Sequence, residues 1–196
     1  VQAIYPWEKI VVDDHETSYT YDRLLLATGG SPRRLAFGSE HFIYYRTLDD
    51  YNRLRKLAAE GQRFAVIGGG FIGTEIAAAL AMNGKEVVLI FPEAGISARA
   101  FPADLSRFLN DYYRSKAVEV LNKHTVTGME VRRGRYVLKV RNVQSPSMLE
   151  VSVDGVVAGL GIQPNTELAL LAGLDVRGGI LVDERLQTSA PDIYAA

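Results

Sequence analysis

Cysteine is missing altogether from the 196 residues. Within this stretch that excludes a disulfide framework, a thiolate metal centre and a cysteine nucleophile. An excess of either charge is missing too: 22 Lys and Arg stand against 23 Asp and Glu, a formal net charge of −1. The densest basic group, RRGR at Arg132–Arg135, reads as a solvated hairpin turn, so no nucleic-acid partner is expected. No apolar run approaches the roughly 18 residues of a membrane helix and no signal peptide opens the chain; no membrane span and a cytoplasmic location are expected. His15, His41 and His124 fall in scattered, turn-like contexts. They read as structural or solvated, and no metal site, G-x-S-x-G elbow or carboxylate pair suggests other chemistry. The first residue is Val1 rather than Met, in a segment that already reads as strand, which suggests a piece of a longer chain.

The remaining pattern is that of an α/β protein. Residues Ala3–Tyr21 alternate apolar and polar around DDHE, as an antiparallel hairpin does. LLLA at Leu24–Ala27 reads as a buried strand ending on Gly29 and Gly30. A helix is marked in TLDDYNRLRKLAAEG, with Thr47 as its cap, Asp50 at the capping-box position and Gly61 as its stop. Strand Phe64–Ile67, a glycine turn, helix Phe71–Met82 and strand Glu86–Phe91 form a βαβ unit, whose helical crossover requires parallel strands. A further helix follows in FPADLSRFLNDYYRSK, with Pro102 near its first turn. From Val118 the period becomes two, with an antiparallel excursion predicted from about Met129 to Val153. NTELALLAGL reads as a short helix before an extended tail.

Gly68, Gly70 and Gly73 satisfy G-x-G-x-x-G between a strand and a helix, with an acid about 20 residues on. Gly68 permits the turn, Gly70 leaves room for a pyrophosphate and Gly73 lets the helix pack closely. The helix start then offers N–H groups and a positive dipole to the diphosphate. Glu93 is the candidate ribose acid, able to accept from the hydroxyls and to repel a 2′-phosphate. Phe91 and Pro92 occupy the usual place of that acid, however, and nearby Arg99 offers the opposite chemistry, attraction of a phosphate. Glu75 follows an anion-binding helix start, so its side chain is expected to point toward a positive partner or the nicotinamide end; a plain solvated dipole partner is the alternative.

Three stretches together resemble the FAD-dependent pyridine nucleotide oxidoreductases with two dinucleotide-binding domains. They are TYDRLLLATGGSPRRL, FAVIGGGFIGTEIAAAL with KEVVLIFPE, and VDGVVAGLGIQPN with GILVDERLQTSAPDIYAA. ATGGSPRRL and LIFPEAGI are most similar to the apoptosis-inducing-factor-like members, beside the ferredoxin and rubredoxin reductases. The absence of a C-x-x-C sets the thioredoxin-reductase-like members aside. The resemblance implies a Rossmann-type parallel sheet with the antiparallel excursion, and a partial flavin domain at both ends. It divides the chain into a flavin segment at 1–44, an NAD(H)-binding domain at 45–160 and the start of a return into the flavin domain at 161–196. It also implies that the main FAD anchors lie outside these residues, so that they alone bind NADH without oxidising it.

Carried over by position, the resemblance puts the diphosphate on Gly70, Phe71 and Ile72, within the run Gly68, Gly69, Gly70 and Gly73. It puts Glu75 near the nicotinamide as the catalytic-site residue, Glu93 and Arg99 at the adenosine half, and Gly161 against the nicotinamide side. Thr28 and Gly29 are implied flavin contacts. The cofactors implied are NAD(H) and FAD, the partners an electron acceptor, protein or small molecule, with a homodimer among the options. Two functions stay open: a reductase passing hydride from NADH to flavin and electrons onward, or a slow NAD(H)-sensing regulatory module. A single-domain dehydrogenase leaves ATGG and the tail unexplained.

Overall fold

Phe64–Ile67 and Val87–Phe91 are apolar at every position, which requires burial on both faces of their strands. The computed structural model, which describes residues 1–38 and 40–196, meets that requirement with a layer on each side of a parallel sheet. The chain divides into two compact units, Val1–Ser31 with Ile162–Ala196, and Pro32–Gly161. Residues 32–38 and 40–44 thus fall in the larger unit, where the Ile43 N–H donates to the Val156 carbonyl at 3.0 Å.

The smaller unit begins with β1 (Ala3–Tyr5), β2 (Ile10–Val12), β3 (Ser18–Thr20), β4 (Leu24–Leu26) and β5 (Gly30–Pro32). The hairpin expected here is a three-stranded antiparallel meander, β1-β2-β3. Its second turn is fixed by Asp13, whose Oδ1 accepts the N–H groups of His15 and Thr17, each at 2.9 Å. The strand expected to be buried at Leu24–Ala27 is β4, and it is buried on one side only: Leu26 is buried while Leu25 is 59% exposed. Strand side chains alternate, and the unit's small core of Ile4, Leu26, Ala169, Leu174 and Ile193 lies on one face.

In the larger unit come α1 (Leu48–Glu60), β6 (Arg63–Ile67), α2 (Phe71–Met82), β7 (Glu86–Phe91), α3 (Ala103–Ser115) and β8 (Val118–Asn122). They are followed by β9 (His124–Arg132), β10 (Arg135–Asn142), β11 (Met148–Val153) and β12 (Gly155–Ala158). The α1 capping box is present in full: Thr47 Oγ1 accepts the Asp50 N–H and the Asp50 carboxylate accepts the Thr47 N–H. The parallel sheet runs β12-β6-β7-β8. Phe64, Val66, Val87 and Leu89 face α1 through Leu54, α2 through Ile76, Ala77 and Leu80, and α3 through Leu109 and Tyr113. Ala65, Ile67, Val88 and Ile90 face β9–β11 through Val126, Leu138, Val140 and Val153.

The antiparallel excursion begins earlier than expected, at His124 rather than near Met129. The reversal out of β8 takes place at Lys123, which adopts φ +59°. RRGR is a hairpin turn with positive φ at both central residues, Arg133 (+53°) and Gly134 (+78°), the conformation that matches strand twist. The remaining elements, β13 (Ile162–Pro164), α4 (Glu167–Leu171) and β14 (Ile193–Ala195), belong to the smaller unit, where β14 pairs in parallel with β4. Among the described residues no helix is long and apolar enough to cross a membrane.

Candidate functional site

β6 ends at Ile67 and the chain passes through three glycines into α2. Gly68 has φ +111°, and a Cβ there would lie 2.2 Å from the Gly159 carbonyl oxygen. A Cβ on Gly73 would lie 1.9 Å from the Gly68 carbonyl oxygen, and one on Gly159 would lie 2.9 Å from the Gly73 amide nitrogen. Strand ends, turn and helix therefore meet main chain to main chain. Gly69 has a different reason: its Cβ would enter the ring of Phe91 at 2.6 Å. Gly70 stands apart from all of these. Nothing lies within 4 Å of a Cβ built on it, and its φ of −83° suits any residue.

The space in front of Gly70 is a cavity of about 400 Å³. Gly68–Ile72 form one wall, Pro92, Glu93, Gly95 and Ser97–Ala100 a second, and Gly159–Gly161 a third. These are the carboxyl ends of β6, β7 and β12. β7 and β12 flank β6 on opposite sides, so the cavity opens where the strand order reverses, the crevice in which open α/β sheets bind ligands. Gly70 caps α2 without a side chain. Among the described residues the amides of Phe71 and Ile72 form no hydrogen bond. With the helix dipole they give this wall a positive partial charge.

Glu93 and Arg99 form one ion pair, Oε1 to Nη2 at 2.8 Å, with side chains 27% and 83% exposed. The two opposed chemistries weighed for the adenosine end thus occupy one place. Phe91 is buried beneath Gly69 and cannot reach the cavity, which accounts for the acid standing later in the chain.

The cavity brings together Gly68, Gly69, Gly70, Phe71, Ile72, Glu93, Arg99 and Gly161. Gly73 lies behind the turn, against Gly68. Glu75 is exposed on α2, outside the lining, and no cation among the described residues pairs with it. Beside it, burial pushes the Tyr113 phenol up, and its hydroxyl donates to the Thr74 carbonyl at 3.2 Å. Thr28 and Gly29 belong to the smaller unit, knotted to Asn165. The Thr28 hydroxyl donates to the Asn165 carbonyl at 2.6 Å, the Asn165 amide donates to the Thr28 carbonyl at 2.9 Å, and the Asn165 N–H donates to the Gly29 carbonyl at 3.0 Å. Sequence reasoning missed Ser97, Ala98 and Ala100 in the wall, Gly159 behind the turn, and the α3 residues Ser106 and Asn110 that hold the loop.

A glycine turn with unpaired amides, set where a parallel sheet reverses its strand order, defines a dinucleotide-binding α/β domain of the Rossmann type. Over residues 1–196 the chain matches the family described as pyridine nucleotide-disulphide oxidoreductase, and it belongs to that family. It is 36% identical to putidaredoxin reductase of Pseudomonas putida over 194 residues, 96% of this chain and 45% of the relative. It is 33% identical to peroxisomal monodehydroascorbate reductase 1 of Arabidopsis thaliana over 185 residues, 90% of this chain and 42% of the relative. Among solved structures, the water-forming NADH oxidase of Lactobacillus brevis bound to NADH superposes with a TM-score of 0.85 at 28% identity, over 99% of this chain and 44% of that one. The chain thus spans less than half the length of these relatives.

Proposed function

We propose that the larger unit is the NAD(H)-binding domain of an FAD-dependent oxidoreductase and that the smaller unit is part of its flavin domain. One observation carries the reading: open space at Gly70 beside the unpaired amides of Phe71 and Ile72. A diphosphate there receives two main-chain hydrogen bonds and the field of α2, and any side chain at position 70 would take its place. Glu93 accepts from the ribose hydroxyls and repels a 2′-phosphate, which favours NADH over NADPH. Arg99, with Nη2 2.8 Å from Glu93 Oε1, holds the carboxylate in position. Gly161, with φ +82° and nothing within 4 Å of a built Cβ, presents a bare Cα to the nicotinamide side while its carbonyl accepts the Arg33 N–H at 3.0 Å. Glu75, exposed and with no cation paired to it among the described residues, orients the nicotinamide end through a positive partner supplied elsewhere in the protein.

In the smaller unit the Thr28 hydroxyl and carbonyl are both committed to Asn165. The Gly29 carbonyl is committed to the Asn165 N–H as well, so Thr28 and Gly29 meet a flavin through their main-chain N–H groups, at a position set by Gly29 φ +62°. FAD, when bound, supplies the ring that takes hydride from NADH and releases electrons to an acceptor. That acceptor is a redox protein or a small molecule, as the names of putidaredoxin reductase and monodehydroascorbate reductase exemplify; these relatives favour the reductase over the regulatory reading.

Titration calorimetry of the Glu93→Ala variant tests the assignment. NADH affinity is expected to fall about tenfold, the worth of a charge-assisted hydrogen bond. NADPH affinity is expected to hold or rise as Arg99 is released. An unchanged NADH-to-NADPH ratio removes Glu93 from the site.

A further inference from the structure

The wall that carries Glu93 and Arg99 is a loop without helix or strand between β7 and α3, yet Gly95, Ile96 and Ser97 are buried within it. Buried main chain outside regular structure needs partners; the Glu93 carbonyl accepts the Lys123 N–H at 3.0 Å and the Ser97 N–H donates to the Gly69 carbonyl at 2.7 Å, while α3 serves the stretch between them from its inner face. Asn110, 4% exposed, uses both ends of its carboxamide: Oδ1 accepts the Ile96 N–H at 3.0 Å and Nδ2 donates to the Ala94 carbonyl at 2.9 Å. Ser106, 2% exposed, donates to the Ile96 carbonyl at 2.8 Å. A Cβ on Gly95 would lie 2.7 Å from the Cβ of Ser106, so the loop is seated directly on the helix. Of these contacts only the one to Ala94 is duplicated, by Asn122 Nδ2 at 2.9 Å.

We propose that Asn110 is a positioning residue for nicotinamide-cofactor recognition: by clamping the loop at Ala94 and Ile96 it fixes the Glu93 carboxylate at the adenosine end and so sets the preference for NADH over NADPH. This rests on the reading of the cavity as the NAD(H) site. Asn110 reaches no cofactor itself. An amide in an apolar helix face costs stability unless fully satisfied, and here both of its groups serve the loop.

The test is steady-state kinetics of the full-length protein with NADH, NADPH and reduced nicotinamide mononucleotide, which lacks the adenosine half. Asn110→Leu removes both hydrogen bonds at similar volume. KM for NADH is expected to rise about tenfold with kcat within about twofold, the NADH-to-NADPH preference to fall, and KM for the mononucleotide to stay unchanged. Gly95→Ala unseats the same loop without touching Asn110, so the same pattern is expected from it, and it stands in should Asn110→Leu fail to fold. Unaltered NADH kinetics in both variants, or an equal loss with the mononucleotide, overturns the proposal. Calorimetry of the wild type separates the two levels: a protein that binds no NADH removes the site reading and the proposal together, whereas normal wild-type binding with unaltered variants removes the proposal alone.

Discussion

Gly69 and Gly70 are neighbours that lack a side chain for opposite reasons. A methyl at 69 is driven into the Phe91 ring at 2.6 Å, whereas a methyl at 70 meets open space. Gly69→Ala is therefore predicted to lower stability by about 1–3 kcal/mol in urea melts, the usual cost of overpacking. Gly70→Ala is predicted to leave the melt within about 1 kcal/mol while weakening NADH binding at least about tenfold. Equal losses of stability in both variants would contradict this division. The glycine fingerprint in the sequence names positions 68, 70 and 73, where the chain respectively turns with φ +111°, opens onto empty space and packs against Gly68. It is silent on Gly69, whose reason is an aromatic ring far along the chain. The same ring explains the late acid: Phe91 is spent on packing under the turn, and the first residues free to face the cavity are Pro92 and Glu93.

Between elements, Asp154 joins β11 and β12 to the start of β6. Its Oδ2 accepts the N–H groups of Gln62 at 2.9 Å and Arg63 at 2.8 Å, and Arg135 Nε lies 3.0 Å from Oδ1. Burial alone would raise this carboxyl, but the two amides and the guanidinium outweigh it and hold it below the usual carboxylate range. A depressed carboxyl stabilises the fold above its unfolded value, about 3.9, and loses that contribution as pH falls through the folded value. Asp154→Asn is thus predicted to lower Tm by a few degrees at pH 7. Its deficit against the wild type should shrink below about pH 4. A deficit of the same size at pH 3 and pH 7, followed by circular dichroism, would show that charge is not the cause.

At this scale most of the fold was legible. The α1 capping box, the βαβ unit and the RRGR hairpin each rest on local chemistry that residue types announce. The start of β9 was not, because the reversal at Lys123 uses a positive φ on a residue that carries no turn signature. The clamp on the cavity loop was not either. Ser106 and Asn110 carry no local signature of the buried main chain they serve.

Over the whole chain, the larger unit holds both major core clusters and the complete cavity, while the smaller unit rests on a modest core. Cofactor binding should therefore register within the larger unit as a local gain in protection, since a ligand that binds only the native state stabilises what it contacts. Hydrogen exchange with NADH present is predicted to slow at residues 68–73, 93–100 and 159–161 and to stay unchanged at the Arg133–Gly134 turn. Protection spread evenly over the unit would point to general tightening instead. The placement of Ile43 in the larger unit depends on a long-range pair, its bridge to Val157, that no local pattern announces.

A structure of the full-length protein with NADH bound is the most direct test of the central claim. Diphosphate oxygens are predicted within about 2.7–3.2 Å of the Phe71 and Ile72 amide nitrogens, with the adenosine ribose at Glu93. A diphosphate bound elsewhere, or a glycine turn left empty at saturating NADH, would contradict the account.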